Sequence, residues 1–119
     1  MKPCRYCHSE LTVTRVHCHR CGVQCEGEFT LPRLARLAPE LQSLAEQVLL
    51  AGGNLKEVAA VQGVSYPTLR KRIDALIGAV EALRASDQDE TERLLGEVEA
   101  GRITPEYAAR RIGELNDGG

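Results

Sequence analysis

The chain has 119 residues, 43% of them apolar, and a formal net charge of −2. That length suits one ordinary domain or a string of very small ones, and the charge excludes a protein-wide basic field. One Phe, three Tyr and no Trp argue against an aromatic platform for stacking single-stranded nucleic acid. Charge is nevertheless uneven along the chain, net +1 over 1–29, +2 over 30–85 and −5 over 86–119. No apolar run approaches the roughly 18 residues of a membrane span. Met1 and Lys2 lead directly to Pro3 and Cys4, without an apolar leader. The five cysteines are therefore expected as thiols in a reducing cytoplasm, with a disulfide framework as the alternative.

Residues 1–29 carry two Cys-x2-Cys pairs, Cys4 with Cys7 and Cys18 with Cys21, separated by ten residues. Zn2+ takes four soft or borderline ligands in a tetrahedron, and each turn supplies two thiolates. Four thiolates close the shell and leave no position for a reacting water, so the expected site holds one structural zinc. The competing reading, two redox-active pairs, requires a thioredoxin-like βαβ context that the sequence lacks. His8, His17 and His19 adjoin the cysteines and are read as solvent-facing or as standing behind the thiolates. The β-prone run ELTVTRV precedes the second pair. After the turn glycine Gly22, alternation places Val23, Cys25, Gly27 and Phe29 on one face of a second strand. On that parity Cys25 is a small buried hydrophobe.

The connector TLPRLARLA is expected to pack as a short helical turn. Residues 39–83 read as three helices. Pro39 starts the first, Leu41, Leu44, Ala45, Val48 and Leu49 stripe it, and Gly52 and Gly53 stop it. Asn54 caps the second, with Glu57 three residues on, and Gly63 ends it. Ser65 caps the third, whose buried side is Leu69, Ile73, Leu76, Ile77 and Val80. Residues 87–116 read as a helical hairpin: Leu94, Leu95 and Val98 stripe its first arm, Gly101 ends that arm, and Thr104-Pro105-Glu106 opens the second. Asp87, Asp89, Glu90 and Glu92 are read as the negative first turn of the first arm. Roughly 30 residues cannot fold alone, so Tyr107, Ala108, Ile112 and Leu115 must pack on the middle module or on another chain, and a homodimer through 87–116 is expected.

The stretch LKEVAAVQGVSYPTLRKRIDALI has helix-turn-helix grammar: Ala59 small at the crossing, Gly63 in the turn, Val64 plugging it, Leu69 and Ile73 packing back. An ordinary helical hairpin would share part of this pattern. In a DNA-binding helix-turn-helix the second of these helices enters the major groove and its first side chains meet base edges. Those residues are Ser65, Tyr66, Thr68 and Arg70, with Lys71 and Arg72 flanking. The alternative for Arg70-Lys71-Arg72 is a solvated helix face, and three cations alone give few phosphate contacts.

The string GVSYPTLRKR resembles the turn and recognition-helix start of lac-type repressors, which share Gly-Val-Ser-Tyr. Pro67 stands where that family has a base-reading glutamine, and Arg72 where an apolar residue is common. A wider resemblance covers the whole chain. The paired cysteine turns, EGEF followed by LARLAPE, GGNLKEV and GVSYPTLRKRIDALI resemble the bacterial and archaeal family called domain of unknown function 2089. This resemblance implies a zinc ribbon over 1–29, a helix-turn-helix domain over 30–85 and, from LLGEVEAGRITPEYAARRIGEL, a SHOCT-like hairpin over 86–119. The expected fold is mainly α with a small β ribbon. The expected function is a non-enzymatic, DNA-binding transcription regulator. The alternative is an adaptor that docks on RNA polymerase, a sigma factor or another regulator. No carboxylate pair, Ser/His/Asp set or phosphate-cradling glycine loop points to an enzyme.

Overall fold

The computed structural model describes residues 2–117. Two antiparallel strands, β1 (Val13–His17) and β2 (Gln24–Phe29), are followed by a 3-10 turn at Arg33–Arg36. Four helices complete the chain: α1 (Pro39–Leu50), α2 (Leu55–Gln62), α3 (Tyr66–Glu99) and α4 (Pro105–Asp117). The fold is mainly helical, with the small sheet at its N-terminal end.

The helix boundaries follow from local chemistry. Pro39 starts α1 with its φ already helical. The α1 C-terminus closes through Gly53 N–H to Val48 O at 2.9 Å, which requires left-handed backbone at Gly52 and Gly53 (φ 62° and 83°). Asn54 Oδ1 accepts from Glu57 N–H and so caps α2. Gly63, at φ 68°, then ends α2, and Val64 N–H reaches back to Ala59 O. Ser65 Oγ accepts from Thr68 N–H and starts α3.

Leu44 from α1, Val58 and Ala59 from α2, and Leu69 and Ile73 from α3 form the buried core of this three-helix unit. Leu69 and Val58 are its most enclosed side chains. Burying each of them is worth about 2 kcal/mol.

A second packed layer lies at the other end of α3. Leu94, Ala108 and Leu115 are buried there. Gly101 (φ 74°) turns the chain, and α4 packs back on α3 after Thr104 caps it through Tyr107 N–H at 3.1 Å. The apolar stripe expected to need a cover, Leu94, Ala108 and Leu115, is thus buried within one chain. Leu95 and Tyr107 stay outside it.

Leu49 and Ile77, expected on buried stripes, are exposed, and three further expectations are corrected. The helix that starts at Ser65 does not stop near residue 84. It continues for 34 residues to Glu99, roughly 50 Å at 1.5 Å per residue. No Gly or Pro lies between Gly78 and Gly96 to interrupt it. The molecule is accordingly extended, 54 × 39 × 32 Å with a radius of gyration of 18.1 Å, against about 13.5 Å for a compact chain of this length.

Asp87 is also not a first-turn residue. It lies mid-helix, 5% exposed. Its carboxylate accepts from Arg33 Nε at 3.1 Å and Arg36 Nη1 at 2.7 Å, so it is engaged by side chains rather than by a helix end.

Cys25, finally, is exposed rather than in a core. Val13 pairs with Phe29, but Arg15 pairs with Glu26 and Val16 with Cys25. One β1 residue therefore stands against Gly27 and Glu28, a bulge that inverts the alternation. Cys25 falls on the face opposite Phe29, and a two-stranded sheet has no second layer to cover it.

Candidate nucleic-acid interface and metal-binding turns

The two cysteine turns share one hydrogen-bond plan. Cys4 O accepts from His8 N–H and Cys18 O from Gly22 N–H, both at 2.9 Å. Cys4 N–H donates to Ser9 O and Cys18 N–H to Val23 O, again both at 2.9 Å. The closing residue is left-handed in each, His8 at φ 62° and Gly22 at φ 78°. Tyr6 N–H points at Cys4 Sγ (3.4 Å).

Backbone and side-chain donors already favour thiolate. Ser9, through its hydroxyl and then its amide, and next Cys4, hold the Cys7 thiol below the ordinary range. The Cys21 amide and thiol and the Arg20 amide do the same for Cys18. One thiol of each turn, Cys7 and Cys18, is thus favoured as a thiolate by its own turn. Among the described residues, however, no three Cys, His, Asp or Glu side chains stand close enough together to share a metal ion. The thiol donors and the shape of each turn fit Zn2+.

The start of α3 presents its side chains to solvent: Ser65, Tyr66, Thr68, Arg70, Lys71 and Arg72 are all exposed. Their engagements differ. Ser65 and Thr68 form the cap, with an additional Oγ to Oγ1 bond of 2.9 Å. Arg70 lies 3.4 Å from Asp74 on its own helix, both exposed, a pair of small energetic value. Arg72 donates to Gln62 Oε1 at 2.7 Å, and Gln62 Nε2 donates to Gln47 Oε1 at 2.8 Å. Arg72 thereby links α3 to α2 and, through Gln62, to α1, which accounts for a charged residue where lac-type repressors place an apolar one. Lys71 has no salt bridge among the described residues, and Tyr66 is 45% exposed. Gln47 and Gln62, unmarked by any motif, complete the support of this surface.

The ribbon is moored to the far half of α3 and to α4. Arg36 Nε donates to Glu10 at 2.9 Å while its Nη1 holds Asp87. Burial opposes the Arg36 charge, but Asp87 and Glu10 together outweigh it and raise its pKa. Arg111 Nη1 donates to Thr30 Oγ1 (3.1 Å) and to Glu114 Oε2 (2.8 Å).

A cleft of about 620 Å³ remains between ribbon and hairpin, walled by Leu11, Phe29, Leu94 and Tyr107 with Arg93 and Arg111. Its cations are already matched. Glu90 takes two bonds from Arg93 (2.8 and 2.6 Å), which holds the Glu90 carboxyl below the usual carboxylate range.

No helix among the described residues is long and apolar enough to cross a membrane. No curated protein and no solved structure matches the chain. Two family models do. The DUF2089 zinc ribbon matches residues 4–35 and the domain of unknown function (DUF2089)-HTH matches residues 37–83. Together they span about two thirds of the chain, cover both the cysteine turns and the capped start of α3, and end before the hairpin. The chain belongs to the DUF2089 family, as a zinc ribbon followed by a helix-turn-helix.

Proposed function

We propose that this protein is a non-enzymatic, cytoplasmic regulator of transcription that binds duplex DNA with the first turns of α3. One observation carries the reading. A helix of 34 residues begins at a Ser65 cap, directly after a left-handed Gly63 turn, and its first side chains are exposed and cationic. Helix-turn-helix proteins place such a helix start in the major groove, where Arg and Lys meet guanine edges or phosphates. Tyr66, Arg70 and Lys71 are the contacting residues, Ser65 and Thr68 set the helix start, and Arg72 holds the angle between α3 and α2. Arg70→Ala/Lys71→Ala should weaken duplex binding and lower its salt dependence by about 2 in log–log slope. Unchanged binding in the double variant removes the reading.

Cys4, Cys7, Cys18 and Cys21 would hold one Zn2+. The ion supplies a cross-link between the two turns and no reactive position. The proposed assembly is a homodimer through 87–116. Its contact would use Leu95 and Tyr107, since Leu94, Ala108 and Leu115 are covered within the chain. A monomer by light scattering removes it.

A second reading is an adaptor that docks on RNA polymerase, a sigma factor or another regulator. Leu49 and Leu50 favour it, at 75% and 82% exposed on α1. A pull-down that returns nucleic acid and no protein counts against it.

A further inference from the structure

Charge on the ribbon is sorted by place. All three of its carboxylates are matched: Glu26 by Arg15 across the sheet (3.0 Å), Glu10 by Arg36 of the connector (2.9 Å) and Glu28 by Arg111 of α4 (3.9 Å). The remaining full charges of the ribbon are Lys2, Arg5 and Arg20. All three are exposed, and none has a salt bridge among the described residues. Arg5 lies inside the first cysteine turn and Arg20 inside the second, and Lys2 enters the first. The acids bind the ribbon to itself and to the rest of the molecule, while its unmatched cations gather on the cysteine turns.

We propose that these two turns are a second nucleic-acid surface, gripping phosphates through Lys2, Arg5 and Arg20. Four thiolates on one Zn2+ would bring a formal −2 to this end of the ribbon. Three cations still exceed it by one, and all three are exposed. Tyr6, 95% exposed beside Arg5, offers a ring to a sugar or an unpaired base.

This surface is separate from the start of α3. Arg36 joins Glu10 to Asp87, and Asp87 lies nineteen residues beyond Thr68 in the same helix, about 29 Å along its axis. Arginine and lysine contacts to phosphate carry no sequence information, so the ribbon strengthens binding on any sequence, whereas α3 discriminates. The inference rests on the nucleic-acid reading above and adds a contact which that reading does not contain.

The test uses the full-length, zinc-loaded protein and fluorescence anisotropy across a salt series, on a duplex and on a single strand of the same sequence. Three variants are compared with the wild type: Lys2→Ser/Arg5→Ser/Arg20→Ser, Arg70→Ala/Lys71→Ala, and the two combined. Metal content and far-UV spectra establish that each is loaded and folded. The ribbon variant should bind at least about tenfold more weakly at low salt, equally on unrelated sequences, with the log–log salt slope reduced by 2 to 3. Its loss should multiply with that of the helix variant, because well-separated sites contribute independently. The arm showing the larger loss identifies duplex or single strand as the ligand. Wild-type affinity and slope in the loaded ribbon variant overturn the proposal, as does a wild-type protein that binds neither nucleic acid. Loss in the ribbon variant with none in the helix variant upholds the ribbon surface and removes α3 as the reader.

Discussion

Arg36 stands between two carboxylates from distant parts of the chain: its Nη1 lies 2.7 Å from Asp87 Oδ1 and its Nε 2.9 Å from Glu10 Oε1. Asp87 also holds Arg33, and all three side chains of this cluster are largely enclosed, at 7% (Asp87), 12% (Arg36) and 19% (Arg33) exposure. The cluster ties ribbon, connector and long helix together. Asp87→Asn leaves the enclosed Arg33 without its charge partner and Arg36 with Glu10 alone, and should cost about 3 kcal/mol in chemical denaturation. Asp89→Asn, two residues away and exposed, should stay within about 0.5 kcal/mol of wild type.

Two glycines should respond with opposite sign. Gly78 lies inside α3, and a Cβ there would meet nothing within 4 Å. Gly78→Ala is expected to stabilise by about 0.5–1 kcal/mol, through helix propensity and a less flexible unfolded chain. Gly63 sits at φ 68°, where a side chain is strained, so Gly63→Ala should destabilise by about 1 kcal/mol. Thermal melts of the two variants check both signs.

His8 is the only non-glycine residue with positive φ among those described, and it occupies the place that Gly22 holds in the second turn. His8→Gly removes strain of about 1 kcal/mol. The zinc-loaded variant should melt no lower than wild type, and its zinc affinity in competition with a chelator should be equal or higher. A large fall in affinity would show that His8, rather than one of the four cysteines, binds the ion.

Stripping zinc with a chelator should unfold the ribbon and spare the helices. The core of Leu44, Val58, Ala59, Leu69 and Ile73 contains no ribbon residue. Hydrogen exchange over 4–29 should become fast while the helical far-UV signal is largely kept, because the ribbon has too little apolar burial to fold without its ion. Loss of the whole helical signal would mean that the ribbon also carries the stability of the bundle.

What could be read in advance was local. Asn54, Gly63, Ser65 and Gly101 act within four to six residues, so their hydrogen bonds are implied by residue type and spacing. The paired cysteines are similar, and each turn closes on its own backbone. The misread positions depend on distant partners. Asp87, followed by Asp89, Glu90 and Glu92, looks like a negative first turn of a helix, yet its acceptor role is set by Arg36 and Arg33, 51 and 54 residues away. Alternation alone puts Cys25 on the face of Phe29, and alternation fails at a bulge whose existence depends on the register with β1. Arg72 passes for a free basic residue until Gln62 is brought against it.

By itself, then, the sequence determined the two thiol turns, the turn glycines, the helix caps and the cationic start of α3, because short-range hydrogen bonds and backbone preferences decide them. The tertiary structure alone decided that residues 66–99 are one helix, that a carboxylate is enclosed in its middle, and that the hairpin covers its apolar stripe within the same chain. Those outcomes depend on which remote segments exclude water from one another. Burial and ion pairing act across space, and the spacing of residues along a chain does not encode that separation.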